Sequence, residues 1–223
     1  MPTGFTLLEI LVVVGLMAAL SAVFAGSLVG GSRVTALESA QGILADVLTF
    51  ARTRAVATGS RVRVLVNAEP GDPVRFRRML VVQQEKAPDA NAWTDPLLEL
   101  ALPEGVYLLP YRSRIPAGFI ADPATWTRSN ATGPLDSSAL SGAPLALAID
   151  AGGTESWDVV QFTSAGTLSF GMGDLVLGPG KVRAAGSVPR GESPVQLTNP
   201  EAVRGVSLSL YGLPVLIDDR EGF

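Results

Sequence analysis

A single carboxylate beside a long uncharged stretch is the side chain in this sequence best placed to do chemistry. Glu9 closes the segment Gly4-Phe5-Thr6-Leu7-Leu8-Glu9 and stands directly before the apolar run from Ile10 to Val29. An ionised side chain in the middle of a bilayer costs about 3 kcal/mol on insertion scales, less near the interface, so such an acid calls for a cation. A cut between Gly4 and Phe5 would create an α-amino group close to Glu9, positively charged below its pKa of about 8. Pairing of Glu9 with that amine on a neighbouring subunit would let assembly remove the penalty. The catalytic inventory elsewhere is poor. The chain has no Cys and no His, which excludes disulfides and thiolate metal sites and removes the commonest general base and metal ligand.

Other candidate motifs are weaker. Gly171-Met172-Gly173 runs into Asp174-Leu175 rather than into a glycine-opened helix, so it reads as a turn and not as a dinucleotide site. Gly178-Pro179-Gly180-Lys181 lacks both the upstream glycine and the hydroxyl residue of a phosphate loop, since Leu175 and Val182 hold those places. Asp218, Asp219 and Glu221 offer oxygen atoms to a hard cation but read as a solvated acidic tail. Asn130-Ala131-Thr132 is a formal glycosylation sequon.

The elements that must position Glu9 follow from hydropathy and period. At 1.5 Å per residue the run from Ile10 to Val29 spans roughly 30 Å, the thickness of a bilayer's hydrocarbon core. A secretory signal is shorter, with an apolar region of about 7 to 15 residues followed by small residues; here the small residue, Gly4, comes first. Beyond the run, Val34, Leu37, Gln41, Leu44, Leu48, Ala51 and Ala55 recur at steps of three and four, widened by Val47 and Phe50. These positions form one helical stripe. Gly59 supplies a C-terminal stop, so one helix is expected from about Phe5 to Thr58.

After Gly59 the period switches to two: Val62, Val64 and Val66 face one way, Arg61, Arg63 and Leu65 the other. Further strands are expected at 76–83, 97–102, 106–109, 145–149, 159–163, 167–170, 206–211 and 214–217, separated by turn signals such as Pro103-Glu104-Gly105. Residues 110–144, rich in Pro, Ser, Gly and Thr, read as a long surface loop. Short punctuated strands favour an antiparallel sandwich over a doubly wound sheet. The expected class is α+β: a long N-terminal helix, membrane-spanning in its first half, packed on an antiparallel β-sandwich-like domain.

The amino terminus resembles the prepilin-type terminus of type IV pilins and of the pseudopilins of type II secretion. The resemblance rests on the order glycine, aromatic, short run, glutamate and long apolar run at Gly4, Phe5 and Glu9. It implies cleavage by prepilin peptidase between Gly4 and Phe5, N-methylation of Phe5 and an assembly role for Glu9. The leader Met1-Pro2-Thr3-Gly4 departs from the family in having no Lys or Arg. Two later stretches, from Leu48 to Val62 and from Val159 to Thr167, are similar to the helix-to-strand passage and the aromatic, turn and glycine element of the pseudopilin H and minor pilin T family. The implied division is a leader over 1–4, a transmembrane and assembly segment over 5–31, an amphipathic continuation over 32–59, and a periplasmic β-rich domain over 60–223.

The function so implied is that of a minor pseudopilin, a structural subunit rather than an enzyme, with no cofactor and no metal. It would be held in the bacterial inner membrane by a single pass and then enter a pseudopilus. Its implied partners are other major and minor pseudopilins, prepilin peptidase, the inner-membrane assembly platform and the lipid bilayer. The alternative is a minor type IV pilin of pilus assembly or DNA uptake, with Arg61, Arg63, Arg75, Arg77 and Arg78 as possible DNA contacts. Solvated strand faces are the default reading of these arginines. The net charge of -4 and the pI near 4.9 argue against a globally basic nucleic-acid binder.

Overall fold

The stripe of apolar side chains becomes the seam along which a helix lies on two sheets. A computed structural model of the chain describes residues 34–129, 133–149, 153–170, 172–184 and 186–223. Gly4, Phe5, Glu9 and the expected membrane span lie outside the described residues. Among the described residues no helix is long and apolar enough to cross a membrane. The chain divides into units Met1–Thr35 and Ala36–Phe223, and the second contains the sheets and the core.

Residues 34–58 are helical (α1), and Gly59 ends the helix in the left-handed conformation, φ 62°, as a C-terminal glycine does at little cost. Leu37, Ala40, Gln41, Leu44, Val47, Leu48, Ala51 and Ala55 are buried, whereas Val34 and Phe50 are exposed. Among the described residues ten strands follow: β1 (Val62–Asn67), β2 (Met79–Gln84), β3 (Leu98–Ala101), β4 (Val106–Leu108), β5 (Leu145–Leu147), β6 (Glu155–Phe162), β7 (Gly173–Val182), β8 (Val195–Leu197), β9 (Arg204–Leu208) and β10 (Pro214–Ile217). One sheet has the order β3-β2-β1-β6-β5 and the other β10-β9-β7-β4, with β8 joining β7. All strand pairs are antiparallel, so the expected α+β class is the one found.

Alternation along each strand sorts the core. Val62, Val64 and Val66 of β1, Val160 and Phe162 of β6, and Leu175 and Leu177 of β7 share one cluster with α1. The opposite face of the second sheet forms a separate cluster with Phe76, Tyr107, Leu109, Phe119, Trp126 and Val176.

Three expectations fail, for related reasons. Residues 110–144 are no surface loop: Phe119, Trp126, Leu135, Ala139 and Leu140 are buried, and 3-10 turns at Arg112–Arg114, Pro123–Thr125 and Ser138–Leu140 carry the backbone over the second sheet. Gly173, expected in a turn, opens β7, the longest described strand, which also contains Gly178 and Gly180. A Cβ on Gly173 would stand 2.6 Å from the Ala139 backbone N, and one on Gly180 2.8 Å from the Tyr107 ring. Glycine is therefore required by the close approach of that covering segment and of β4. Pro179 is tolerated because β9 pairs only as far as Leu177 and β8 begins at Gly180, so its missing N–H falls in the gap. Finally, 167–170 makes only an isolated bridge, Phe162 to Leu168.

Candidate functional site

The five arginines proposed from sequence are not brought together: Arg61 lies beside Glu85 at the start of β1 and Arg63 within that strand, whereas Arg75, Arg77 and Arg78 lie at the opposite end of the sheet near Asn67, and each is engaged inside the protein. β1 turns Arg63, Leu65 and Asn67 away from α1, and Arg61 precedes it. Arg61 donates from Nε to Glu85 Oε2 at 2.8 Å and from Nη2 to Glu85 Oε1 and, at 2.7 Å, to Asn91 Oδ1. Arg63 is buried, donates to Gln83 Oε1 at 3.0 and 2.7 Å, and lies 4.0 Å from the centre of the Trp93 ring. Burial pushes its guanidinium down to about 10. Arg75 donates to Glu155 at 2.9 Å, and Asn67 holds the other oxygen of the same carboxylate at 2.8 Å. Arg78 donates to the carbonyls of Leu102 and Val74.

Arg77 is the structural centre of the group. Its N–H donates to Asn67 O at the end of β1, and its carbonyl accepts from Leu108 N of β4, both at 2.9 Å. One residue thus bonds the backbone of both sheets. Its φ of 59° is left-handed, a conformation that costs a residue with a Cβ about 1–2 kcal/mol. The side chain, 3% exposed, is ion-paired with Asp158, which is fully buried in β6. Asp158 Oδ1 also lies 3.1 Å from Arg114 Nε, and Arg114 donates to Leu140 O. This charge cluster ties the 110–144 segment to the junction of the sheets. Burial pushes the Arg77 guanidinium below its ordinary value, with Asp158 opposing the shift. Sequence reading missed Asp158, Glu85 and Glu155. The available signal for Asp158 was an acid set between Trp157 and the Val159-Val160 pair, where a buried charge demands a partner.

At the other end of β1, Glu85 gives its pair with Arg61 a pH dependence. Its side chain is buried, and the hydrogen bonds from Arg61 hold its carboxyl down to about 2 from an ordinary 4.5, against the upward push of desolvation and with help from Asn91 N–H. The folded value is depressed, so this contribution to stability is present above about 4.5 and is lost as the pH falls towards about 2. We expect the urea midpoint of the Arg61→Gln variant to change less between pH 5 and pH 2.5 than that of the wild type. Parallel curves for the two proteins would contradict the assignment.

Among the described residues no group of His, Cys, Asp or Glu is placed to hold a metal ion. In the acidic tail Asp218 pairs with Arg204 at 3.1 Å, and Asp219 accepts from Gly222 N in the last turn. Polar contacts fix α1 on its sheets. Gln41 donates to Gly205 O and Ile217 O, each at 2.9 Å, and Arg52 to Tyr211 O at 2.9 Å, fastening the helix to β9 and the β9–β10 hairpin.

The fold defined by these contacts is a helix laid across two antiparallel sheets. Among solved structures, the chain is similar to the type IV minor pilin FimU of Pseudomonas aeruginosa, at 13% identity and a TM-score of 0.40, covering 81% of this chain and 87% of that one. It is also similar to the minor pseudopilin EpsH of the type II secretion system of Vibrio cholerae, at 17% identity and a TM-score of 0.38, over 82% of this chain and 94% of that one. No family profile and no curated protein matches the sequence.

Proposed function

We propose that this chain is a minor pseudopilin, a structural subunit that assembles with other pseudopilins into a short filament of a type II secretion machine. The observation that carries the reading is a continuity in the sequence. An acid at Glu9 and an uncharged apolar run lead into a helix whose next turns bury Leu37, Leu44, Leu48, Ala51 and Ala55 against two antiparallel sheets. One end of such a helix suits lipid and neighbouring helices, and the other anchors a folded body. In this reading prepilin peptidase cuts between Gly4 and Phe5, Phe5 is N-methylated, and its amine neutralises Glu9 of an adjacent subunit. The anchor holds the chain in the inner membrane with the body in the periplasm until the assembly platform recruits it.

Mass spectrometry of the mature chain from its native membrane is the direct test. The expected amino-terminal peptide begins at Phe5 and is heavier than the unmodified peptide by one CH2, the net gain when a methyl group replaces an amine hydrogen. A mature chain beginning at any other residue would overturn the proposal.

A further inference from the structure

The first sheet stops one strand short of the apolar flank of the helix. Ile43, Val47 and Phe50, spaced three and four apart on α1, line a groove of about 470 Å³ with Leu97, Leu98 and Leu100. Phe50 is 42% and Leu97 39% exposed. β3 is the last strand on this side of its sheet, so among the described residues nothing pairs with its outer edge. Leu102 N donates to Arg78 O at 2.9 Å, which sets the ladder: alternate residues Leu98 and Leu100 bond inward to β2, while the N–H and C=O groups of Glu99 and Ala101 point outward.

From this placement we infer that the β3 edge and its groove bind an extended segment of another protein, with apolar residues at alternate positions and a Lys or Arg among them. A strand added at the usual spacing of about 4.8 Å would take up the Glu99 and Ala101 backbone groups. Its residues opposite Leu98 and Leu100 would point to the same face as those leucines, into the groove against Ile43, Val47 and Phe50. The basic requirement comes from charge. Asp46 lines the groove and is exposed, and no salt bridge to it occurs among the described residues. The inference rests on the body alone and is independent of processing at Gly4.

The test uses the purified full chain in detergent and, as probe, a short synthetic peptide that alternates valine with threonine between terminal arginines. At saturating peptide, hydrogen exchange at the Glu99 and Ala101 amides should slow by about tenfold or more, the factor that corresponds to 1.4 kcal/mol. A peptide of the same sequence N-methylated at alternate amides should not protect them. Ala101→Pro removes only an outward donor and should abolish the protection. Asp46→Lys, an exposed change that spares the fold, should shift preference from the arginine-ended peptide to a glutamate-ended one. Absence of protection, or equal binding of the N-methylated peptide, would overturn the inference. Protection without peptide would also overturn it: rising with protein concentration it would assign the edge to a second copy, and independent of concentration to this chain's own amino-terminal residues.

Discussion

Replacing Glu9 with alanine is expected to reduce recovery of the chain in isolated filaments by roughly tenfold or more while leaving the amount in the membrane unchanged. The two effects separate because the carboxylate acts on them with opposite sign. An acid in the apolar layer opposes insertion by about 2.5–3.5 kcal/mol at the centre of a bilayer and less near its edge, so alanine costs insertion nothing. Within the proposed assembly, the same carboxylate beside the amine of Phe5 on a neighbour would gain a charge-assisted bond, and about 1.4 kcal/mol of it corresponds to tenfold in association. Glu9→Gln should resemble alanine, since it keeps the shape and removes the charge. Immunoblots of sheared filaments against washed membranes would measure the ratio. Equal recovery of wild type and both variants would remove the electrostatic basis of the proposed assembly.

The parts of this fold legible in the sequence are those set by local periodicity. The stripe Leu37, Gln41, Leu44, Leu48, Ala51 and Ala55 is buried, because a helix on a sheet needs only one apolar face. The stop at Gly59 and the alternation of Val62, Val64 and Val66 against Arg63 and Leu65 follow from the same short-range rules. What escaped the sequence depends on contacts between distant residues. β7 was hidden because Gly171-Met172-Gly173 reads as a turn and glycine and proline punctuate 178–180, and only the covering backbone near Ala139 and the ring of Tyr107 explain why no larger residue fits at Gly173 and Gly180. The 110–144 segment was hidden because its scattered Phe119, Trp126 and Leu135 follow no period yet bury against the second sheet. The arginines likewise looked like a charged surface. Their partners lie from about twenty to eighty residues away, at Glu85, Glu155 and Asp158, and no local pattern announces such pairs. Glu9, Gly4 and Phe5 stand on sequence alone.

The largest expected effect on stability is at Asp158. Replacing it with alanine should lower the unfolding free energy by about 3–5 kcal/mol, the usual consequence of stripping one partner from a buried ion pair. The loss is large because Arg77 has no route to water: its side chain is 3% exposed, and its backbone is bonded to both sheets. The Asn67 and Leu108 hydrogen bonds fix the Arg77 backbone at φ 59°, so the buried side chain cannot be carried out to solvent by a backbone shift without breaking them. Arg114, more exposed and bonded to Leu140 O, would adapt more readily, and Arg114→Ala should therefore cost less than Asp158→Ala. The double variant Arg77→Met with Asp158→Leu removes both charges and should recover most of the loss, since apolar replacement of a whole buried pair is often neutral or stabilising. Urea unfolding of Arg77→Met, Asp158→Leu and the double variant beside the wild type would resolve the coupling between the two positions as a double-mutant cycle. If Asp158→Ala cost less than about 1 kcal/mol, or if the double variant were as unstable as the sum of its singles, the pair would be a bystander and the junction of the sheets would be held by packing alone.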